Sequence, residues 1–386
     1  MGYMLLAPEL VIMWAARQFI VAKEIAVEHQ GKGVQPTAIY QICDLLVKTA
    51  REWTKAHGFF VIMGGFALHD ADKSFLRVLD ERTLTELDNA GEIEWPTITE
   101  KEIQDRSKAD VFSKGIVLVQ TTWFIVSCVS RFATKLAVTE LEVVTLAFAV
   151  LNGITYWLWW DKPSDVRCVV PVYLKSTEGS SNAKVSEARK QHPIQMATKR
   201  DGFLALFRCS FADRRNKHGL VLTILYTFLW VPIKGIFSHL WDMMVQHVIP
   251  DDDITRVPTF YGPKENKAFL RRSVSSWIMI GVITLFGAIH FIPWSFTFPT
   301  NAERSLWRVS AIFITGGLLL PLFLMIMSDW VSYPTLESTS AIMFGVFIPV
   351  YMISRTILLI LPLILLRSLP PTAFLELKWS EFLPHI

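Results

Sequence analysis

Thr139-Glu140-Leu141-Glu142 opens a long apolar segment. Thr139 followed three residues later by Glu142 is a capping box, in which each side chain bonds the other's backbone N–H. Glu140 is not needed for that cap. Two carboxyls at the head of an aromatic-rich apolar helix sit where water thins out, and a carboxyl that keeps its proton there can serve as a general acid. Arg131 ends one apolar stretch and Arg355 interrupts another. Charges in such stretches usually face the interior and pair with an acid. Both arginines therefore read either as structural ion pairs, with Glu140, Glu142 or Asp329 as partners, or as functional cations.

Other candidate motifs point to little chemistry. HGFFVIMGGFALHD, at 57–70, is apolar and about twelve residues long, too short to span a bilayer, which suggests a re-entrant or interfacial segment. Gly64 and Gly65 would permit a turn, but no phosphate-binding signature surrounds them. His239, Asp242 and His247 do not share one helical face, and Asp251-Asp252-Asp253 after Pro250 reads as a solvated cluster without the DDxxD spacing that holds magnesium. Neither a metal nor a cofactor is expected. The four cysteines, Cys43, Cys128, Cys168 and Cys209, lie far apart with no CxxC pair.

The elements that must position these residues follow from hydropathy. Only 19% of the chain is charged against 52% hydrophobic, with mean hydropathy +0.36, whereas soluble chains carry about 25% charge. A net charge of +3 argues against nucleic acid as a partner. A spanning helix needs roughly 20 mostly apolar residues. Between Arg272 and Glu303 there are 30 residues without Asp, Glu, Lys or Arg, between Arg308 and Asp329 there are 20, and between Glu142 and Asp161 there are 18. Ser338–Leu366 contains only Arg355, and two shorter runs, Gly115–Ser130 and His218–Ile233, are flanked by cations able to snorkel. The sequence thus predicts an all-α, polytopic transmembrane helix bundle with six spans. Met1–Ala22, carrying Glu9 and Arg17, is a candidate seventh span or an interfacial helix. Aromatic residues gather at span ends, as in YWLWW at 156–160.

Residues 1–386 read as a single membrane domain with two long loops. The first, 69–110, holds twelve acidic and six basic residues, and the second, 162–217, twelve basic and five acidic. Neither shows a sustained helical or strand period. With these spans both loops and the C-terminus share one face, and the excess of Lys and Arg places that face in the cytoplasm. No targeting signal is evident, so the endoplasmic reticulum is the default membrane.

The phrases WTKAHGFFVIMGGF (53–66), DRSKADVFSKGIVLVQTTWF (105–124), TELEVVTLAFAVLNGITYWLWWDKPSDV (139–166) and RSLPPTAFLELKWSEFLPHI (367–386) resemble a large fungal family of multi-pass membrane proteins. The resemblance covers nearly the whole chain. It implies a membrane-bound terpene cyclase of secondary metabolism, an isomerase acting on the epoxidised prenyl chain of a prenylated phenol. Such chemistry needs an acid to protonate the epoxide and a dry, aromatic-lined cavity to hold a carbocation. Glu140 and Glu142 are then the acid candidates, Arg131 the residue that orients an acid or a substrate oxygen, and Trp123, Tyr156 and Trp157 the lining. The partners expected are a lipophilic small molecule and the lipid bilayer. A non-catalytic transporter or pathway scaffold is the alternative, and a transporter should show polarity running through several spans.

Overall fold

The structure, a computed structural model, describes residues 5–29, 53–70, 72–163, 168–175, 268–331 and 334–375. These form two regions, each with its own apolar core.

The first region is a bundle of long helices: α1 (Pro8–Glu28), α5 (Lys108–Ala133), α6 (Glu140–Leu158), α7 (Ala268–His290), α8 (Asn301–Gly316), α9 (Leu319–Val331) and α10 (Pro334–Leu365). Among the described residues five stretches are long and apolar enough to cross a membrane: Lys114–Ala133, Glu140–Leu158, Trp277–Ser295, Asn301–Ser328 (α8 and α9 together) and Ser338–Ser368. They coincide with five of the six expected spans. The sixth, His218–Ile233, lies outside the described residues, as do His239, Asp242, His247 and the Asp251–Asp253 cluster. α1, the candidate seventh, carries Glu9, Arg17, Lys23, Glu24 and Glu28 and is not one of the five.

α1 is nevertheless central, because Ile12, Met13, Ala15 and Ala16 enter the bundle core with Val144, Leu151, Phe286, Trp307 and Leu358. On the outside, Val119 (72% exposed) and Ile342 (69%) present apolar surface. An apolar outer surface of this extent suits hydrocarbon better than water. Pro349 and Pro362 lie inside α10 without ending it, which membrane helices tolerate.

The second region was not expected. α2 (Lys55–Ile62), β1 (Phe66–His69), β2 (Phe75–Val78), α3 (Glu81–Asn89), α4 (Glu100–Asp105) and β3 (Val170–Tyr173) pack into a small α/β unit. β1 is the middle strand, antiparallel to β2 and parallel to β3, with Phe66 opposite Val170 and His69 opposite Tyr173. The fold is therefore mostly helical rather than all-helical. The acidic loop 69–110 is largely structured: Asp80 caps α3 by accepting the Thr83 N–H at 3.1 Å, and Thr99 and Glu102 form a capping box on α4.

HGFFVIMGGFALHD is helix, cap and strand in succession, packed in the α/β unit, and the turn expected at Gly64 and Gly65 is present. Gly64, at φ 75°, ends α2: its N–H bonds Val61 O at 2.9 Å and the Gly65 N–H bonds Phe60 O at 2.8 Å, the paired pattern of a left-handed helix cap. Gly58 lets α2 lie directly on α1, since a Cβ there would stand 2.1 Å from the Ala22 carbonyl oxygen.

The α/β unit and the head of α6 lie at opposite ends of the bundle. Lys114, early in α5, bonds the carbonyls of Trp159 and Lys162 past the foot of α6. Asp161, also beyond that foot, pairs with Lys55 of α2 at 2.6 Å. Arg131, late in α5, instead reaches the carbonyl of Leu375 at 3.0 Å. The segment Pro371–Leu375 thus sits at the end away from the α/β unit. One face was expected for the first loop and the C-terminus; the described end of the chain, Pro371–Leu375, lies away from that loop, and residues 376–386 lie outside the described residues.

Candidate functional site

Glu140 is the first residue of α6 and is buried, 9% exposed. It lines a cavity of about 710 Å³ formed by the end of α5 and the α5–α6 connection, by Ser295, Phe296, Thr297 and Pro299 after α7, and by Leu365, Ser368, Leu369 and Pro370 at and after the end of α10. The walls are chiefly apolar, and Phe132 and Phe296 are the aromatic contributors. This volume is in the range of small-molecule pockets. The Glu140 carboxylate lies near its own backbone N–H and engages no other side chain among the described residues.

The other two members of the expected acid–arginine set are committed to structure. Glu142 closes the capping box: its Oε2 accepts the Thr139 N–H at 2.8 Å and the Thr139 hydroxyl at 3.0 Å, while its own N–H bonds Thr139 Oγ1 at 3.2 Å. Arg131 Nε lies 3.8 Å from Glu142 Oε1. Its guanidinium also donates to Ala137 O at 2.8 Å, Ala373 O at 3.0 Å and Leu375 O at 3.0 Å. Arg131 therefore ties α5, the α5–α6 connection and the segment after α10 together, and with them most of the cavity rim.

The expected lining residues are not brought to this cavity. Trp123 lies on the outer side of α5, 58% exposed. Tyr156 and Trp157 stand sixteen and seventeen residues beyond Glu140, about 24 Å along α6 at 1.5 Å per residue. Trp157 is exposed and packs on Phe19 with ring centroids 5.6 Å apart. Intramembrane position alone did not carry helical phase or height, and both were needed. The aromatics the cavity does use, Phe132 and Phe296, carried no signal that set them apart from the other 24 phenylalanines.

A second polar group lies inside the bundle. Tyr351 of α10 donates its hydroxyl to Glu9 Oε1 of α1. One turn on, Arg355 donates Nε to Leu5 O at 3.1 Å. Its guanidinium carbon stands over the rings of Phe286, 3.9 Å from the centroid, and Phe148, 4.8 Å. Cation–π contacts of this kind contribute about 0.5–2 kcal/mol each. His290, one turn after Phe286, donates Nδ1–H to Phe286 O at 2.8 Å, and the Trp307 indole donates to His290 O at 3.0 Å. Arg355 was expected to pair with Glu140, Glu142 or Asp329; in the structure Glu9, through Tyr351 one turn away, brings a carboxylate to the same part of the bundle, and the Asp329 side chain lies outside the described residues. Glu9 Oε2, Arg355 Nη2 and His290 Nε2 are buried with no hydrogen-bond partner among the described residues. Each such atom costs about 1–3 kcal/mol if left unpaired.

Beyond the foot of α6, Lys162 sits half-buried over Trp159, 4.2 Å from the ring centroid, and Trp14, 5.1 Å, and donates to Gln18 Oε1 at 2.9 Å. Burial, aided by the nearby Lys114 charge, pushes its ammonium down to about 8. In the α/β unit, burial lowers His57, opposed by its hydrogen bond to Ile98 O and by the Glu100 charge.

Among the described residues no group of three or more His, Cys, Asp or Glu side chains is placed to hold a metal ion. Residues 1–183 match the model of a family of unknown function (DUF8562). That stretch contains α1, the α/β unit, Arg131, Glu140 and Glu142, and stops short of His290 and Arg355. No curated protein and no solved structure matches the chain.

Proposed function

We propose that this chain is an integral membrane enzyme that cyclises the epoxidised prenyl chain of a prenylated phenol, with Glu140 as the initiating acid. The observation that carries the reading is a buried carboxyl, engaging no other side chain among the described residues, on the wall of a chiefly apolar cavity of about 710 Å³. In the step proposed, the protonated Glu140 gives its proton to the epoxide oxygen and a C–O bond breaks. The carbocation is captured by the alkene of the same chain to form a C–C bond. A final proton loss leaves an isomer of the substrate. The faces of Phe132 and Phe296 stabilise the cation, and apolar walls keep water from trapping it. Arg131 and Glu142 position: they hold the rim and the head of α6. No cofactor takes part. The lipophilic substrate enters from the bilayer, with the endoplasmic reticulum as the proposed membrane. The basic excess of the 162–217 loop puts the α/β end in the cytoplasm and the cavity end on the other side.

The test uses microsomes containing the chain, incubated with terminal epoxides of farnesylated phenols and analysed by chromatography with mass spectrometry. A product of unchanged mass and new retention time, absent from empty-vector microsomes, is expected. Survival of the epoxide with folded protein present would contradict the reading. A transporter is the second reading, favoured by one observation: Glu9, His290, Tyr351 and Arg355 join polarity from α1, α7 and α10 inside the bundle. Counterflow of the same phenols across proteoliposomes, without isomerisation, would select it.

A further inference from the structure

The buried atoms left open in the bundle centre define what would close them. Glu9 Oε2 only accepts, and Arg355 Nη2 only donates. At His290 the Nδ1 faces the Phe286 carbonyl at 2.8 Å, which can only accept. That nitrogen carries the proton, and Nε2 of the neutral ring is an acceptor. All three side chains are 1% exposed. Arg355 of α10 and His290 of α7 meet at the Phe286 ring, the guanidinium 3.9 Å from its centroid and the imidazole 4.5 Å, and Glu9 of α1 joins them through the hydroxyl of Tyr351, one turn before Arg355. The surroundings are otherwise Phe148, Trp307 and aliphatic core.

We infer that this centre is a binding site for the hydroxyl group of a lipophilic alcohol or phenol. A hydroxyl accepts from Arg355 Nη2 while donating to Glu9 Oε2, so one small neutral group answers both kinds of open atom. A carboxylate brings only acceptors and opposes Glu9. An ammonium brings only donors and opposes Arg355. The apolar surroundings require the rest of the molecule to be apolar. The site is distinct from the Glu140 cavity: Phe148 is eight residues, about 12 Å, along α6 from Glu140. The inference stands whether or not Glu140 carries catalysis.

The probes are farnesol and farnesyl methyl ether, which differ in the hydroxyl alone. Each is titrated into the full-length protein in lipid nanodiscs, with tryptophan fluorescence as the readout. Farnesol is expected to bind saturably and the ether at least ten-fold more weakly. The Glu9→Gln variant keeps the shape but turns an acceptor toward donor character, and at least a ten-fold loss of farnesol affinity is expected. The alcohol–ether pair is read on the unaltered chain, so the test holds even if that variant fails to fold. Equal binding of alcohol and ether would overturn the inference, as would undiminished farnesol affinity in folded Glu9→Gln. Saturable binding of neither would overturn it too, leaving buried water as the partner of these atoms.

Discussion

His57 and His290 are both buried, one in the α/β unit and one in the bundle, and they are treated oppositely. His57 Nδ1 accepts from the Thr54 N–H at 3.1 Å, and Nε2 donates to Ile98 O at 3.0 Å. Both nitrogens are used, and the ring stitches the start of α2 to the strand-like approach to α4. His290 is tied at one nitrogen and open at the other. A fully satisfied buried polar group specifies a fold, whereas an open one in an apolar interior asks for a partner. That contrast separates the two histidines rather than the whole of the two regions, since Ser74 Oγ in the α/β unit is also buried without a hydrogen-bond partner among the described residues. The α/β unit uses His57 and its caps as architecture, and the bundle gathers Glu9, His290 and Arg355 at its centre and the Glu140 cavity at one end.

The largest effect that would break the comparison lies at Arg355. Arg355→Ala leaves the Glu9 carboxylate in the bundle interior without its neighbouring cation, and a loss of about 3–5 kcal/mol is expected. Denaturant titration in detergent measures it. The double variant Glu9→Leu with Arg355→Leu should recover most of that loss, because replacing buried opposite charges together by apolar residues is often neutral. If Arg355→Ala is as stable as the parent chain, the centre is not a coupled polar group.

Gly58→Ala comes next. A Cβ 2.1 Å from the Ala22 carbonyl oxygen meets backbone on both sides, so α1 and α2 must separate at a cost of about 3 kcal/mol. Thermal melts followed by Trp53 fluorescence would report it, with the α/β unit loosening before the bundle.

The pH predictions are smaller and opposite in position. His57 is lowered from 6.5 in the fold, so the unfolded chain binds the proton first. Its contribution is complete above about 6.5 and is lost as pH falls from there toward the lowered folded value. Trp53 and Trp95 pack beside this ring system, and their fluorescence should show the α/β unit weakening between pH 7 and 5. A His57→Gln variant should flatten that dependence. Lys162, down from 10.5 to about 8 in the fold, has the same sign at higher pH. The unfolded chain holds the extra proton between these values, so stability should rise from about pH 8 toward 10.5. Lys162→Met should remove that rise.

What the sequence made legible was local or periodic. The apolar runs located the five described spans, and Thr139 with Glu142 announced the cap on α6 because its partners are three residues apart. What stayed hidden depends on distant partners. β1 pairs with β3 across about a hundred residues, and four-residue strands inside a continuous apolar phrase cannot be told from helix by period. Glu9 meets Tyr351 across 342 positions, and nothing near Glu9 marks that pairing. Among the expected site residues, Glu140 reached a cavity because it heads the helix that forms one wall. Trp123, Tyr156 and Trp157 did not, because each sits at another height or phase.

The most direct test of the central proposal compares Glu140→Gln with Glu142→Gln in the microsomal epoxide assay, normalised to folded protein. Losing a general acid removes roughly 10²–10⁴ of rate, so Glu140→Gln should be at least a hundred-fold slower. Glu142→Gln keeps an oxygen for the Thr139 cap and should retain most turnover. Full turnover in Glu140→Gln, or equal loss in both variants, would contradict the assignment of Glu140 as the acid.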